Sequence, residues 1–313
     1  MADWILGALD WIGGRARWLL ALGVLVAFFL PGLSALLRPW LAPIVALVFC
    51  VAVVRIDLGD MLRRLRRPGH LGILVLWSLG LMVLTPILLW GIGTGLGLPG
   101  PHIAAMVYTG VAPPITSAAA LCLLIGLDAV FALELTLVAT VLTPVIGPPM
   151  ANLLLGTAIP ITAWDLALRT GAIILSGGIA GFALTRLIGE QRIAAHAGAF
   201  DGLSAIVMWL VVVAVLDQAG GMVLARPIEA IGILALALAV NFGLQTATGL
   251  GLARLRPGEA GAAGLTMGNR TVALYFAALP FEPVFALFVA FYQIPMLFTP
   301  LITGPILRRS QTE

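Results

Sequence analysis

Lysine is absent from this sequence: all 17 basic residues are arginine, set against 14 acidic ones, for a formal net charge of +3. Charge of either sign is scarce, at 10% of 313 residues, while 61% are hydrophobic and mean hydropathy is +1.11. A soluble chain of this length needs far more charge to cover its surface. No hydrophilic stretch is long enough to form a separate soluble domain, which confines function to a bilayer or its faces. Cysteine is limited to Cys50 and Cys122, each inside an apolar run and without a CxxC pattern, and His70, His102 and His196 are scattered. The cysteines therefore read as small packing residues, and no structural metal site is expected. No His pair, Asp pair or Ser-His set falls within the apolar runs, so an enzyme is not expected. The pI of 9.4 does not indicate a nucleic-acid partner, because the arginines sit in short loops between apolar segments.

What is abundant is apolar sequence in runs of membrane-spanning length. Ten spans are expected: Trp18–Leu37, Trp40–Val54, Leu71–Ile92, His102–Gly126, Ala129–Leu155, Leu166–Ile188, Leu203–Leu216, Pro227–Leu252, Ala260–Leu279 and Val284–Leu307. Pro31-Gly32 breaks the first near its far end, Pro86 lies inside the third, and the second and seventh are short for a ~30 Å hydrocarbon core. Ahead of them, Trp4, Ile5, Ala8, Leu9, Trp11 and Ile12 share one helical face, which reads as an interfacial helix or else a disordered tail. It is not a signal peptide, since Arg15 and Arg17 follow the first apolar residues and no cleavage pattern comes after them.

With ten spans, thirteen arginines fall on one side; Arg38 and Arg226 fall on the other, Arg169 just inside the sixth span and Arg270 inside the ninth. That bias places both termini in the cytoplasm of a multi-pass protein, in a membrane of the bacterial inner (cytoplasmic) type.

The chain also repeats itself. Asp128-Ala129-Val130-Phe131-Ala132-Leu133 returns as Glu282-Pro283-Val284-Phe285-Ala286-Leu287. Each copy continues through an apolar helix to Thr-Pro (Thr143-Pro144, Thr299-Pro300) and then Gly-Pro (Gly147-Pro148, Gly304-Pro305). Each follows a span with a breaker near its middle, Pro113-Pro114 in the fourth and Gly268-Asn269 in the ninth. Five helices separate the copies, so they would lie in the membrane with opposite orientation.

Pro113 and Pro114 remove two amide donors, and Val111–Ser117 reads as an unwound hinge whose carbonyls are free to bind ions or polar groups; a plain proline kink is the alternative. Thr116 and Ser117 belong to that hinge. In the ninth span, Asn269, Arg270 and Thr271 follow the breaker. A mid-membrane arginine costs at least ~3 kcal/mol on insertion scales, so Arg270 must face a wet cavity or a partner, Glu134 being the acidic candidate. Asn241, Gln245 and Thr248 share a face of the eighth span, either lining a polar path or bonding between helices. Tyr292 and Gln293 are weaker candidates of the same kind.

Taken together, the broken fourth and ninth spans and the Asp128 and Thr143-Pro144 region resemble the bile acid:sodium symporter (BASS) superfamily over essentially the whole chain. The resemblance implies an all-α polytopic membrane fold of ten helices in two inverted five-helix repeats, whose broken helices cross. It implies a panel domain of residues 18–55 and 163–216 and a core domain of 70–155 and 226–307, after an interfacial segment 1–17. It implies a transporter whose substrate cavity lies between the domains beside the crossing helices; a small organic anion is the expected substrate, and Arg270, as a mid-membrane charge, is expected to face that cavity. The family's sodium ligands carry over poorly. Its Ser-Asn pair after the fourth-helix break is Ala118-Ala119 here, and its serine and threonine of helix five are Ala132 and Thr136. Its glutamate and glutamine of helix nine are Gly264 and Gly268, and its third-helix glutamine is Leu81. Transport is thus expected with no cofactor and without sodium coupling, Arg270 filling the electrostatic role of the ion; a sodium symporter with a rearranged ion site is the alternative, ahead of a channel.

Overall fold

The computed structural model describes residues 2–15, 31–56, 58–67, 69–156, 161–215 and 219–310. Among them every regular element is a helix, and the exception to helical pairing is one isolated antiparallel bridge. Seven helical runs are long and apolar enough to cross a membrane: Gly32–Val54, His70–Gly95, Ala129–Leu155, Ala163–Ile188, Ala197–Val215, Pro227–Leu252 and Pro283–Ile302. The chain thus has the architecture of an all-α, multi-pass membrane protein.

Most of the expected first span lies outside the described residues. The loop expected between the first two spans is not a loop. The Pro31–Leu37 helix passes through a 3₁₀ turn, Arg38–Trp40, into the Leu41–Val54 helix. Pro39 sits in the first turn of that 3₁₀ segment, where its missing N–H and fixed φ are tolerated, so it tightens the helix without ending it.

The chain divides into two compact units, one of Met1–Leu62 with Gly171–Ala225, the other of Arg63–Thr170 with Arg226–Glu313. In the first unit, the Ala163–Ile188 helix brings Gly177 and Gly181, one turn apart, against the Leu41–Val54 helix. A Cβ on Gly177 would stand 2.2 Å from the Ala46 carbonyl oxygen, and one on Gly181 2.6 Å from that of Cys50. Small residues at this spacing let two backbones touch where lipid offers no hydrophobic drive for association. The Ala2–Gly13 helix docks on the Ala197–Val215 helix, leaving Trp4 and Trp11 exposed.

In the second unit, the repeated acidic residues have one job. The Asp128 carboxylate accepts from the Phe131 amide (2.9 Å) and caps the Ala129–Leu155 helix, and Glu282 accepts from the Val284 (3.1 Å) and Phe285 (2.6 Å) amides to cap the Pro283–Ile302 helix. Thr143 and Thr299 are both fully buried and donate back to carbonyls one turn earlier, Ala139 (2.8 Å) and Pro295 (3.0 Å). Two elements of this unit are interrupted. Gly100–Val111 is separated from Ala118–Ile125, and Pro257–Gly268 from Ala273–Ala278.

Candidate functional site

The first interruption follows from its prolines. Pro113 disfavours helical angles in the residue before it, and Ala112 accordingly leaves the helix at φ −71°, ψ 148°. The second forms without proline: Asn269 turns extended at φ −99°, ψ 102°, and its side-chain amide donates to the Leu265 carbonyl (3.0 Å), closing the helix end it has just left.

The two extended segments pair with each other. Pro114 and Arg270 form the antiparallel bridge. The Ile115 amide donates to the Asn269 carbonyl (2.9 Å) and the Thr271 amide to that of Pro113 (2.8 Å). The Thr271 hydroxyl donates to the Pro114 carbonyl (3.1 Å), and Arg270 Nη1 to that of Ala112 (2.8 Å). The Tyr275 hydroxyl reaches the Val111 carbonyl at 3.5 Å. The carbonyls of Val111 to Pro114, which lie at and past the helix end without helical partners, are thereby all met from the second interrupted element.

Arg270 is 1% exposed. Besides Ala112, its Nε donates to the Met267 carbonyl (2.7 Å), and Nη2 lies 3.3 Å from the Leu81 carbonyl, 3.4 Å from Thr85 Oγ1 and 3.0 Å from Met267 Sδ. The Leu81 carbonyl is available for a local reason. Residues 80–84 form a π-helical turn, and in that register the donor to Leu81 would be residue 86, a proline with no N–H. The guanidinium therefore sits on the carbonyl ends of both N-terminal half-helices, where the helix dipole favours a cation.

Two expectations for Arg270 change here. It is enclosed by backbone and does not face an open cavity. Nor does it pair with Glu134, and among the described residues it makes no ion pair. Glu134 lies in the second turn of its helix, where Oε2 meets His70 Nε2 at 2.9 Å, while Oε1 is buried with no partner. Carbonyls, which the fork of N–H groups fits, replace the carboxylate.

On the far side of the second interruption a neutral network takes over. Asn241 Nδ2 (2.7 Å) and the Tyr292 hydroxyl donate to the Gly268 carbonyl. Gln245 Nε2 donates to Asn241 Oδ1 (2.5 Å) and Thr299 Oγ1 (3.0 Å), its Oε1 accepts from Thr303 (2.5 Å), and Thr299 reaches Asn269 Oδ1 at 3.3 Å. Of the sequence candidates, then, Pro113, Pro114, Asn241, Gln245, Asn269, Arg270, Thr271 and Tyr292 come together. Thr136 does not join them through a hydrogen bond: its hydroxyl donates to Ala132 of its own helix (2.7 Å). Thr116 is half-buried and Ser117 exposed at the start of the Ala118–Ile125 helix, whose first turn has no side-chain cap. Leu81, Thr85, Met267, Tyr275, Thr299 and Thr303 were not anticipated as partners. Pro86 signalled a free carbonyl about one turn earlier, Met82 in an α-helical register, and the π-helical turn makes it that of Leu81 instead.

Gly264 and Gly268 pack against the Pro227–Leu252 helix. A Cβ would lie 2.7 Å from the Gln245 carbonyl oxygen at Gly264 and 2.3 Å from that of Asn241 at Gly268, so neither position admits a side chain in this packing. No protein-family model matches the chain, and no curated protein matches it.

Proposed function

We propose that this chain is a secondary transporter of a small organic anion, working by alternating access without sodium coupling. The observation that carries the reading is the Pro114–Arg270 bridge, two unwound segments holding a buried guanidinium among carbonyls, with no carboxylate beside it among the described residues. Irregular backbone deep in an apolar helical bundle is tolerated where it is satisfied by protein or lines a cavity, and discontinuous helices of this kind are the usual seat of transporter sites. A fixed positive charge without a counter-ion among the described residues favours an anion nearby, and the open first turn at Thr116-Ser117 offers amides to it. The shared acid cap, buried threonine and following proline of the Ala129–Leu155 and Pro283–Ile302 helices support the reading of two inverted five-helix repeats, ten helices in all. The division into two units fits panel and core domains like those of the bile acid:sodium symporter superfamily, which the sequence resembles.

The absence of sodium coupling rests on Arg270 and the two glycines. The guanidinium takes the electrostatic place of an exchangeable cation, and Gly264 and Gly268 leave no room for ligand side chains. The test is counterflow in liposomes holding the purified protein, with labelled small carboxylates. A carrier exchanges label against an unlabelled gradient, with and without sodium alike. Flux without counterflow would make the protein a channel, and a steep sodium requirement would make it a symporter with a rearranged ion site.

A further inference from the structure

A groove of about 720 Å³ runs along the second unit between the His70–Gly95 and Pro227–Leu252 helices. Missing side chains hold it open. Gly80 on one wall and Gly251 on the other line it, and a Cβ at either would meet nothing within 4 Å. From Ile73 to Leu88 it follows roughly 22 Å of helix at 1.5 Å per residue, longer than the ~15 Å of one hydrocarbon leaflet. Its rim is open: Leu76 is 70% and Leu84 67% exposed.

The lining is not uniform. Arg256 is its charged residue, half-exposed and bonded through Nη1 to Glu259 at 3.3 Å, which leaves other N–H groups of its fork for an anion. Leu81, Thr85 and Met267, all of which contact the Arg270 guanidinium, also line it, Leu81 about midway between Ile73 and Leu88. An apolar trough open to lipid neither holds water nor stays empty, because an unfilled wall forfeits its dispersion contacts. A guanidinium at the end of a span is placed to meet a headgroup phosphate.

We infer that the groove seats one acyl chain of an anionic bilayer phospholipid, its phosphate at Arg256 and its chain lying against Leu81, Thr85 and Met267. A two-chain lipid fits better than a free fatty acid because the open rim lets the second chain lie alongside in the bilayer. The seated chain backs the residues that hold Arg270, so lipid composition acts on the interruption from behind. The inference requires that the chain be embedded in a bilayer and does not depend on what it transports.

The test uses the full chain in phosphatidylcholine nanodiscs doped with phosphatidylglycerol carrying a chain-end diazirine. Photolabelling should map to residues 70–95 and 227–252. Gly80→Leu with Gly251→Leu fills the groove and should abolish most of that labelling. Arg256→Gln should lower it about fivefold, the weight of one basic residue near an anionic headgroup, and should lower labelling by a matching diazirine phosphatidylcholine, whose choline offsets the phosphate charge, by less. Undiminished labelling in the double-leucine protein, or labelling confined to other helices, overturns the inference. Preferential labelling by diazirine palmitate overturns it in favour of a fatty acid. If the double variant does not fold, Gly251→Leu alone with the exposed Arg256→Gln decides the matter by the same readout.

Discussion

The Nη1 of Arg270 donates to the Ala112 carbonyl at 2.8 Å, across 158 residues of sequence, and by that contact one interrupted helix closes the end of another. A charge in this position is a structural donor set as well as an electrostatic element. It answers the Met267, Ala112 and Leu81 carbonyls together.

Removing it should therefore cost stability and function together. Arg270→Ala leaves buried carbonyls unmet at 1–3 kcal/mol each, and a loss of roughly 3 kcal/mol is expected. Thermal melting in detergent reads this directly. Arg270→Lys should recover part of the loss, since an ammonium keeps the charge without the fork. Guanidinium ion at sub-denaturing concentration should raise the melting temperature of Arg270→Ala and not that of the parent protein. Adding Glu134→Ala to Arg270→Ala should restore nothing, because the two side chains do not pair; recovery of transport would contradict the placement of both.

Glu134 and His70 form their own unit, 2.9 Å apart. His70→Leu alone strands a buried carboxylate and should destabilise by about 2 kcal/mol or more. His70→Leu with Glu134→Leu should be closer to the parent protein than either single change. Additive losses in that cycle would mean the pair is not coupled.

Gly268→Ala drives a Cβ to 2.3 Å from the Asn241 carbonyl oxygen, backbone that cannot move aside. A loss of about 1–3 kcal/mol or failure to fold is expected, as for other overpacked sites. Gly243→Ala, on the facing helix with nothing within 4 Å, should be neutral and serves as the control.

Pro113→Ala with Pro114→Ala returns two amide donors to the first interruption. The segment can then wind into helix and withdraw its carbonyls from Thr271 and Arg270. Transport should fall further than expression does. Unchanged transport at equal protein level would reduce the prolines to a kink.

Cysteines introduced beside Arg64 and Arg256 should react with an impermeant thiol reagent from one face of the membrane, and one at Leu98 from the other. Labelling of all three from a single face would contradict the proposed ten-span topology.

Much of this molecule was legible without a structure, and the reason is local physics. Apolar runs longer than a bilayer is thick announce helices whatever their neighbours are. Pro113-Pro114 ends a helix by its own stereochemistry, and Asp128 and Glu282 begin helices by capping amides three residues on or fewer. The boundary expected between Leu37 and Trp40 is absent because Pro39, placed in a first turn, breaks nothing. The partners across space were not legible. Which carbonyls Arg270 would meet depends on a π-helical turn at residues 80–84 and on Pro86, in a helix distant in sequence. Glu134 met His70 because helix ends, not span centres, come together at that point. The closeness of the Pro227–Leu252 helix, which closes Gly264 and Gly268 to any side chain, is likewise a fact of packing. Sequence fixes where the backbone must leave its helix, since that is a property of a few consecutive residues; only the tertiary fold decides which distant groups satisfy what is left exposed.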